Sequence, residues 1–462
     1  MRPLAAAALV IACATSAATA AAQMPPNPAV DPIFAEWDRG DSPGCAVGAA
    51  RNGRFVYERG YGMANLDYDV PNGPDIVYYV GSDSKQFTAA AIALLALDGK
   101  LSLDDDVRKF LPEMRDYGTP VTVRNLIHHT SGVRDVYALM SLRGDRMEDV
   151  FPDSAALDLI FRQKGLGFAP GSAYSYSNSG YYLLAQIVKR VTGQSLREFA
   201  DARIFAPLGM THTHFHDDPG HPMKWRAMSY ERDGAGAYRI SYLQNFDKTG
   251  AGGLYTTLGD LLKWDENYYT HQVGGDALRR LIHTRGVLTT GDTLPYAFGN
   301  EERTYRGLRT TEHGGSLMGY KAYVLRFPDA HFSVFVTCNL GTIDPGPLAH
   351  RVAEVYLGDR MTAPAAATTS VRASSTASDE PARPATDTTL VGTYYSDDLD
   401  ATWRIVRAPD GSLALQLPRV RATPLVVRGS GYRAGTMGIR FEPGGVMVAT
   451  VSRIGELRLT RR

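Results

Sequence analysis

The feature that most restricts what this chain can fold into is a stretch that can enter no core. Residues 361–388, which include TAPAAATTSVRASSTASDEPARPATD, are dominated by alanine, threonine, serine and proline. So little apolar side chain cannot offset the entropy of ordering, and the stretch reads as a linker. It divides the 462 residues into a body at 30–360 and a tail at 389–462. The body is long enough for one sizeable core. The tail is a run of short alternating segments, from VGTYYSDDLDATWRIVRAPDGSLALQL to FEPGGVMVATVSRIGELRLTRR, which predicts a small antiparallel β-barrel or sandwich. It carries no histidine, cysteine or serine/lysine constellation and reads as a packing or substrate-gating module.

Within the body, GCAVGAARNGRFVYERGYG at 44–62 predicts a hairpin turning at Asn52-Gly53. IVYYV at 76–80 reads as a strand, and KQFTAAAIALLALDGK after Ser82 as a buried helix stopped near Gly99. From about 120 to 290 helical patterns prevail, among them TTLGDLLKWDENYY with Thr257 as its cap. Strands return at 320–327 and 332–339, and PLAHRVAEVYLGD predicts a closing helix. The expected fold class is α/β (α+β): an antiparallel sheet flanked by helices, a mostly helical subdomain, then the β-barrel.

The N-terminal residues 1–22, MRPLAAAALVIACATSAATAAA, pair an early arginine with an apolar stretch and small residues. That is the pattern of a secretory signal peptide cut near Ala20–Ala22, so the protein is expected to be exported, periplasmic or extracellular. VIAC at 10–13 weakly resembles a lipoprotein box with Cys13 as a lipid anchor. No other apolar run is long enough for a membrane span. Cys45 and Cys338, both in predicted strands, are either a buried thiol pair or one disulfide. With 49 basic and 49 acidic residues, nothing favours a nucleic-acid partner.

Chemistry concentrates in three places. In VGSDSKQFT, Ser82 and Lys85 stand at i and i+3 of a helix start, which puts both on one face. Desolvation along an apolar helix lowers an amine's pKa and makes it a base for the hydroxyl; the bland alternative is a capping serine and a solvated lysine. In YSYSNSGYYLL, Tyr176 offers a hydroxyl to relay a proton, and Asn178 an amide to hold a substrate carbonyl or the lysine. Two segments compete for a third wall: KTG at 248–250, which leads into glycines and a helix, and HGG at 313–315, which leads into two strands. A strand edge suits the wall, because it presents the Ser316 N–H opposite that of Ser82 as an oxyanion hole; His313 and Gly315 are therefore preferred, and Lys248 becomes a surface or loop residue. HTHFH at 212–216 looks metal-like in composition, but solvent-facing histidines on a loop or strand are the simpler reading. No metal and no cofactor are expected.

The ordered set SDSK, YSN and HGG resembles the serine β-lactamase/DD-peptidase superfamily, on the class C β-lactamase and family VIII esterase side. The likeness runs from about 30 to 360, supported by VRNLIHHTSGV at 123–133, FAPG at 168–171, APLGMTHT at 206–213 and AGGLYTT at 251–257. The tail resembles, more weakly, the lipocalin-like domain of some D-aminopeptidase and esterase relatives. The resemblance implies Ser82 as acylated nucleophile, Lys85 as base, Tyr176 as proton shuttle, Asn178 as a contact to the substrate amide, and the N–H groups of Ser82 and Ser316 as oxyanion donors. His313 stands where the family's lysine binds a substrate carboxylate; a mostly neutral imidazole weakens that function. The implied function is a serine hydrolase acting on a small peptide, amide or ester, of D-aminopeptidase, DD-peptidase or carboxylesterase type. The alternatives are a β-lactamase and a catalytically silent penicillin-binding-like envelope protein, and a homo-oligomer is compatible with the sequence.

Overall fold

A computed structural model describes residues 27–147, 149–241, 247–363 and 383–462. The expected signal peptide, Cys13 and most of the expected linker lie outside the described residues.

The first hairpin joins β1 (Cys45–Arg51) to β2 (Arg54–Tyr61). Asn52 and Gly53 both take positive φ, which matches the twist of the two strands they connect. After it come α1 (Lys85–Leu97), α2 (Val136–Arg143), α3 (Asn178–Thr192) and α4 (Leu258–Thr270), then β3 (Glu301–Tyr305), β4 (Leu308–Leu317), β5 (Tyr320–Phe327), β6 (Phe332–Cys338) and α5 (Pro345–Leu357). The six strands form one antiparallel sheet in the order β3-β4-β5-β6-β1-β2. The chain's last strand of the body thus pairs with its first. Cys45 and Cys338 face each other in that pairing and are joined by a disulfide, which settles the two alternatives. Helix α5 packs on β5 and β6, and α4 packs on β1 and β6.

Two expectations need correction in detail. HGG does not precede the strands but lies inside one, β4, which the sequence pattern did not reveal because its residues are polar and glycine-rich. Of IVYYV, only Tyr78–Tyr79 form a strand, in a small three-stranded sheet with residues 214–215 and 254–256. Helix α1 is buried along nearly its whole length, Lys85 included, and an apolar cluster runs from it through the helical region into the tail.

The tail closes into an eight-stranded antiparallel barrel. Buried polar groups hold it to the body. Arg134 donates to the Asp398 carboxylate (2.7 Å) and to the Ile454 carbonyl (3.2 Å), and Trp403 Nε1 donates to the Leu142 carbonyl at the end of α2 (3.0 Å). A buried guanidinium requires such partners, so they define one docked orientation of the barrel.

Candidate active site

Ser82 lies in a single 3₁₀ turn, Gly81–Ser84, that leads into α1. Residues three apart eclipse in that geometry, and Lys85 Nζ sits 3.1 Å from Ser82 Oγ. Two glycines allow β4 to approach this turn. Gly81 has φ +55°, and a Cβ there would meet the Ser316 nitrogen at 2.5 Å. A Cβ on Gly315 would fall 1.8 Å from the Val80 carbonyl oxygen and 3.0 Å from the Ser82 nitrogen. The backbone nitrogens of residues 82 and 316 therefore meet at one seam. Counting back along the ladder from the two-residue Met318-Gly319 turn, Ser316 occupies a position whose N–H points away from β5, toward the open edge.

Lys85 is 0% exposed. Its Nζ has three polar neighbours: the Ala251 carbonyl at 2.6 Å, Asn178 Oδ1 at 3.0 Å and Ser82 Oγ at 3.1 Å. The first two only accept. A neutral amine would spend its two N–H groups on them and keep its lone pair for the serine hydroxyl. Burial favours that neutral form and pulls the amine down to about 7; Asp135 pulls it up, Arg453 pushes it down and Asp83 pulls it up, each by charge alone. The Tyr176 ring, 4.9 Å from Nζ, adds an aromatic wall.

Asn178 opens α3, and its orientation is imposed. Asp135, which caps α2, accepts from the Asn178 backbone N–H (2.6 Å) and from Nδ2 (2.9 Å), so Oδ1 must face Lys85. Burial pushes the Tyr176 hydroxyl far above the ordinary phenol range, and the neighbouring Ser82 hydroxyl pulls it only partly back. It therefore stays protonated and can hand on a proton but not act as a standing base. The Tyr176 ring packs 4.2 Å, centroid to centroid, from His129, whose Nδ1 accepts from the Ser177 N–H (3.1 Å). Burial holds His129 neutral. The HHTSG segment thus holds the loop that carries the tyrosine.

On β4, His313 Nδ1–H donates to the Gly314 carbonyl (2.8 Å) and Nε2 meets the Tyr296 hydroxyl (3.2 Å). Asp83 Oδ1 is 3.7 Å from Nδ1; that carboxyl is fully buried, and burial raises it to about 6 with His313 working against the rise. Ser82, Tyr176, Asn178, His313, Gly315 and Ser316 line a cavity of ≈ 850 Å³ that also touches Gly252, Glu312, Lys321, Asp344 and Arg453.

The structure brings Ser82, Lys85, Tyr176, Asn178, His313, Gly315 and Ser316 together at this cavity. Lys248 is on a loop, as expected, but it is buried rather than at the surface; its Nζ donates to the Phe151 carbonyl and to Asp247. Its neighbour Ala251 nevertheless reaches the site through a backbone carbonyl. His216 is buried against Tyr255 and His214, not solvent-facing, and no metal-holding cluster occurs among the described residues. Sequence reasoning missed Asp135, Ala251, His129, Tyr296 and Arg453. Asp135 alone left a signal, as an acid directly before the apolar VYALM run.

The chain matches the Beta-lactamase family over residues 30–394. It is similar to a D-aminopeptidase of Gluconobacter oxydans, 28% identical over 427 residues, covering 90% of this chain and 77% of the relative. It is also similar to a D-aminopeptidase of Cereibacter sphaeroides, 32% identical over 298 residues, covering 64% of this chain but only 57% of that relative. Among solved structures it shares its fold with the octameric penicillin-binding protein homologue from Pyrococcus abyssi (TM-score 0.63, 23% identity, 90% of this chain and 95% of that one). The D-amino acid amidase from Ochrobactrum anthropi SV3 shares the fold over 72% of this chain and 99% of its own (TM-score 0.60, 21% identity).

Proposed function

The chain belongs to the beta-lactamase family, and on that premise we propose that it is a serine hydrolase that cleaves amide bonds through a covalent acyl-enzyme, as a peptidase or amidase of the D-aminopeptidase type. One observation carries this reading. Lys85 Nζ has two obligate acceptors and one hydroxyl around it, so the neutral amine has its lone pair aimed at Ser82.

The reaction follows from that arrangement. Ser82 Oγ bonds to the substrate carbonyl carbon while its proton passes to Lys85 Nζ. The carbonyl oxygen takes the negative charge between the N–H groups of residues 82 and 316. As the carbon–nitrogen bond breaks, the proton on Lys85 returns through the Tyr176 hydroxyl to the leaving amine. Water then attacks the ester, gives one proton back along the same route to Ser82 Oγ, and releases the acid. An ester substrate would follow the same steps with an alkoxide leaving.

A fluorophosphonate probe and a panel of D- and L-aminoacyl amides test this. Labelling at Ser82 in the parent, none in S82A, and turnover of at least one amide series support it. Equal labelling of parent and S82A contradicts it. Rapid nitrocefin turnover without amide turnover would favour a β-lactamase instead.

Three further expectations belong to the same reading. Export rests on residues 1–22, and the Cys45–Cys338 bond supports an oxidising compartment. We also propose a two-domain organisation divided at the linker, with a hydrolase body at 30–360 and a barrel at 389–462. Self-association has the octameric Pyrococcus abyssi relative as its support and is read by light scattering.

A further inference from the structure

The barrel places one residue in the active-site cavity. Arg453 sits on the turn between strands Val446–Val451 and Gly455–Arg461, with φ +62°. Both sides of the turn are pinned. The Arg453 carbonyl accepts from the Asp135 N–H (3.2 Å), the Ile454 carbonyl accepts from buried Arg134, and Gly455 lies against Gly167, where a Cβ would meet the Gly167 Cα at 2.9 Å. The same Asp135 orients Asn178, so the barrel turn is registered to the catalytic constellation itself. From this fixed point the guanidinium reaches over the Tyr176 ring, 5.3 Å from its centroid. The side chain is exposed to the cavity, and no salt bridge joins it to a carboxylate among the described residues. Its charge is nonetheless felt inside, among the influences that hold Lys85 down and that lower Tyr176.

Position gives the cation a meaning. Tyr176 is the group that hands a proton to the departing amine, and the guanidinium over its ring lines the same cavity into which that amine departs. His313, at the wall where the resemblance places a lysine, is already satisfied by the Gly314 carbonyl and Tyr296. Lys321, the cavity's other cation without a carboxylate partner among the described residues, donates to Ser316 Oγ (2.7 Å), which leaves Arg453 as the planar fork of donors free to meet a carboxylate. We propose that Arg453 binds a carboxylate on the leaving group, so that the amines released are amino acids and the substrates are short peptides with a free C-terminal carboxylate rather than simple amides or esters. This rests on the serine hydrolase reading above and adds a substrate class to it.

The test compares two substrates with the same acyl part, a dipeptide and the same dipeptide as its C-terminal amide, in both D and L acyl series. The ratio of their kcat/KM values is read in the parent, in R453Q and in R453K. A merely structural role for the turn, or an effect through Lys85, changes both substrates alike and cancels in the ratio. The parent is expected to favour the free carboxylate by about tenfold or more, R453Q to bring the ratio toward one through a raised KM for the dipeptide, and R453K to keep part of the preference. A parent ratio near one, or a ratio unchanged in R453Q, overturns the proposal while Ser82 labelling keeps the hydrolase reading intact. Absence of both turnover and Ser82 labelling overturns the two together.

Discussion

Two lysines of this chain are buried in short motifs with a hydroxyl residue nearby, Lys85 in SDSK and Lys248 in KTG. Their surroundings differ in the charge that touches the amine. Lys248 touches the Asp247 carboxylate at 3.3 Å, whereas every contact of Lys85 Nζ is to an uncharged oxygen. Burial lowers both amines, but Asp247 pulls Lys248 back toward its charged form by direct contact. Burial alone therefore does not make a base. A base also needs to be free of a contacting acid and to have a hydroxyl in line with its lone pair, and only the 82–85 turn meets both conditions.

The comparison is tested most severely by removing each amine. K85M should slow acylation of Ser82 by about a thousandfold or more, since the nucleophile loses its proton acceptor. K248M should leave acylation within about threefold of the parent and instead lower stability by about 1–2 kcal/mol, because a buried carbonyl loses its donor. Labelling kinetics and urea denaturation of the two variants separate these outcomes. If both variants lost acylation equally, the distinction drawn between the two regions would fail.

Next in size is G315A. A methyl group 1.8 Å from the Val80 oxygen must push β4 away from the turn, and the two N–H groups at the seam part. Loss of an oxyanion donor costs about a hundredfold in kcat. A kcat unchanged in G315A would show that the oxyanion is held elsewhere.

The third test uses proton linkage. The folded state holds Lys85 at about 7 against an ordinary 10.5, so between those values it binds fewer protons than the unfolded chain. Stability should then rise with pH across that window in the parent relative to K85M, by about 2 kcal/mol between roughly pH 7 and pH 9. The parent-minus-K248M difference should change less, since the Asp247 contact resists deprotonation. Smallest is D135N, which replaces an acceptor of both Asn178 bonds by an amide that need not point its oxygen the same way. About a tenfold fall in kcat/KM is expected, with the cap of α2 largely kept, since asparagine caps a helix about as well as aspartate.

What could be read in the sequence follows the range of the forces involved. Ser82 and Lys85 are three residues apart, and one turn of helix brings them together without help from the rest of the chain. The Asn52-Gly53 hairpin and the apolar helix after Ser82 are legible for the same reason. Tyr176, Asn178 and His313 lie far away in sequence and could be placed only because three ordered motifs resemble a known pattern. The Ala251 carbonyl has no side-chain signature at all. Asp135 looks like any helix cap until Asn178 is packed against it. Arg453 lies in a barrel tail that composition alone describes as inert, and its meaning comes from the buried Arg134–Asp398 contact that docks the barrel. Lys248 is legible as a loop residue, but a lysine among glycines says nothing of the Phe151 carbonyl that receives it inside the protein.

The central claim is that Ser82 is activated by a lysine that is neutral near physiological pH. It is tested most directly by the second-order rate constant for acylation of Ser82 by a fluorophosphonate, followed from pH 5 to 9. The account predicts a rate that rises with unit slope at low pH and levels off with a midpoint at about 7. A profile that is flat, or one still climbing toward 10 as an ordinary ammonium would dictate, contradicts it.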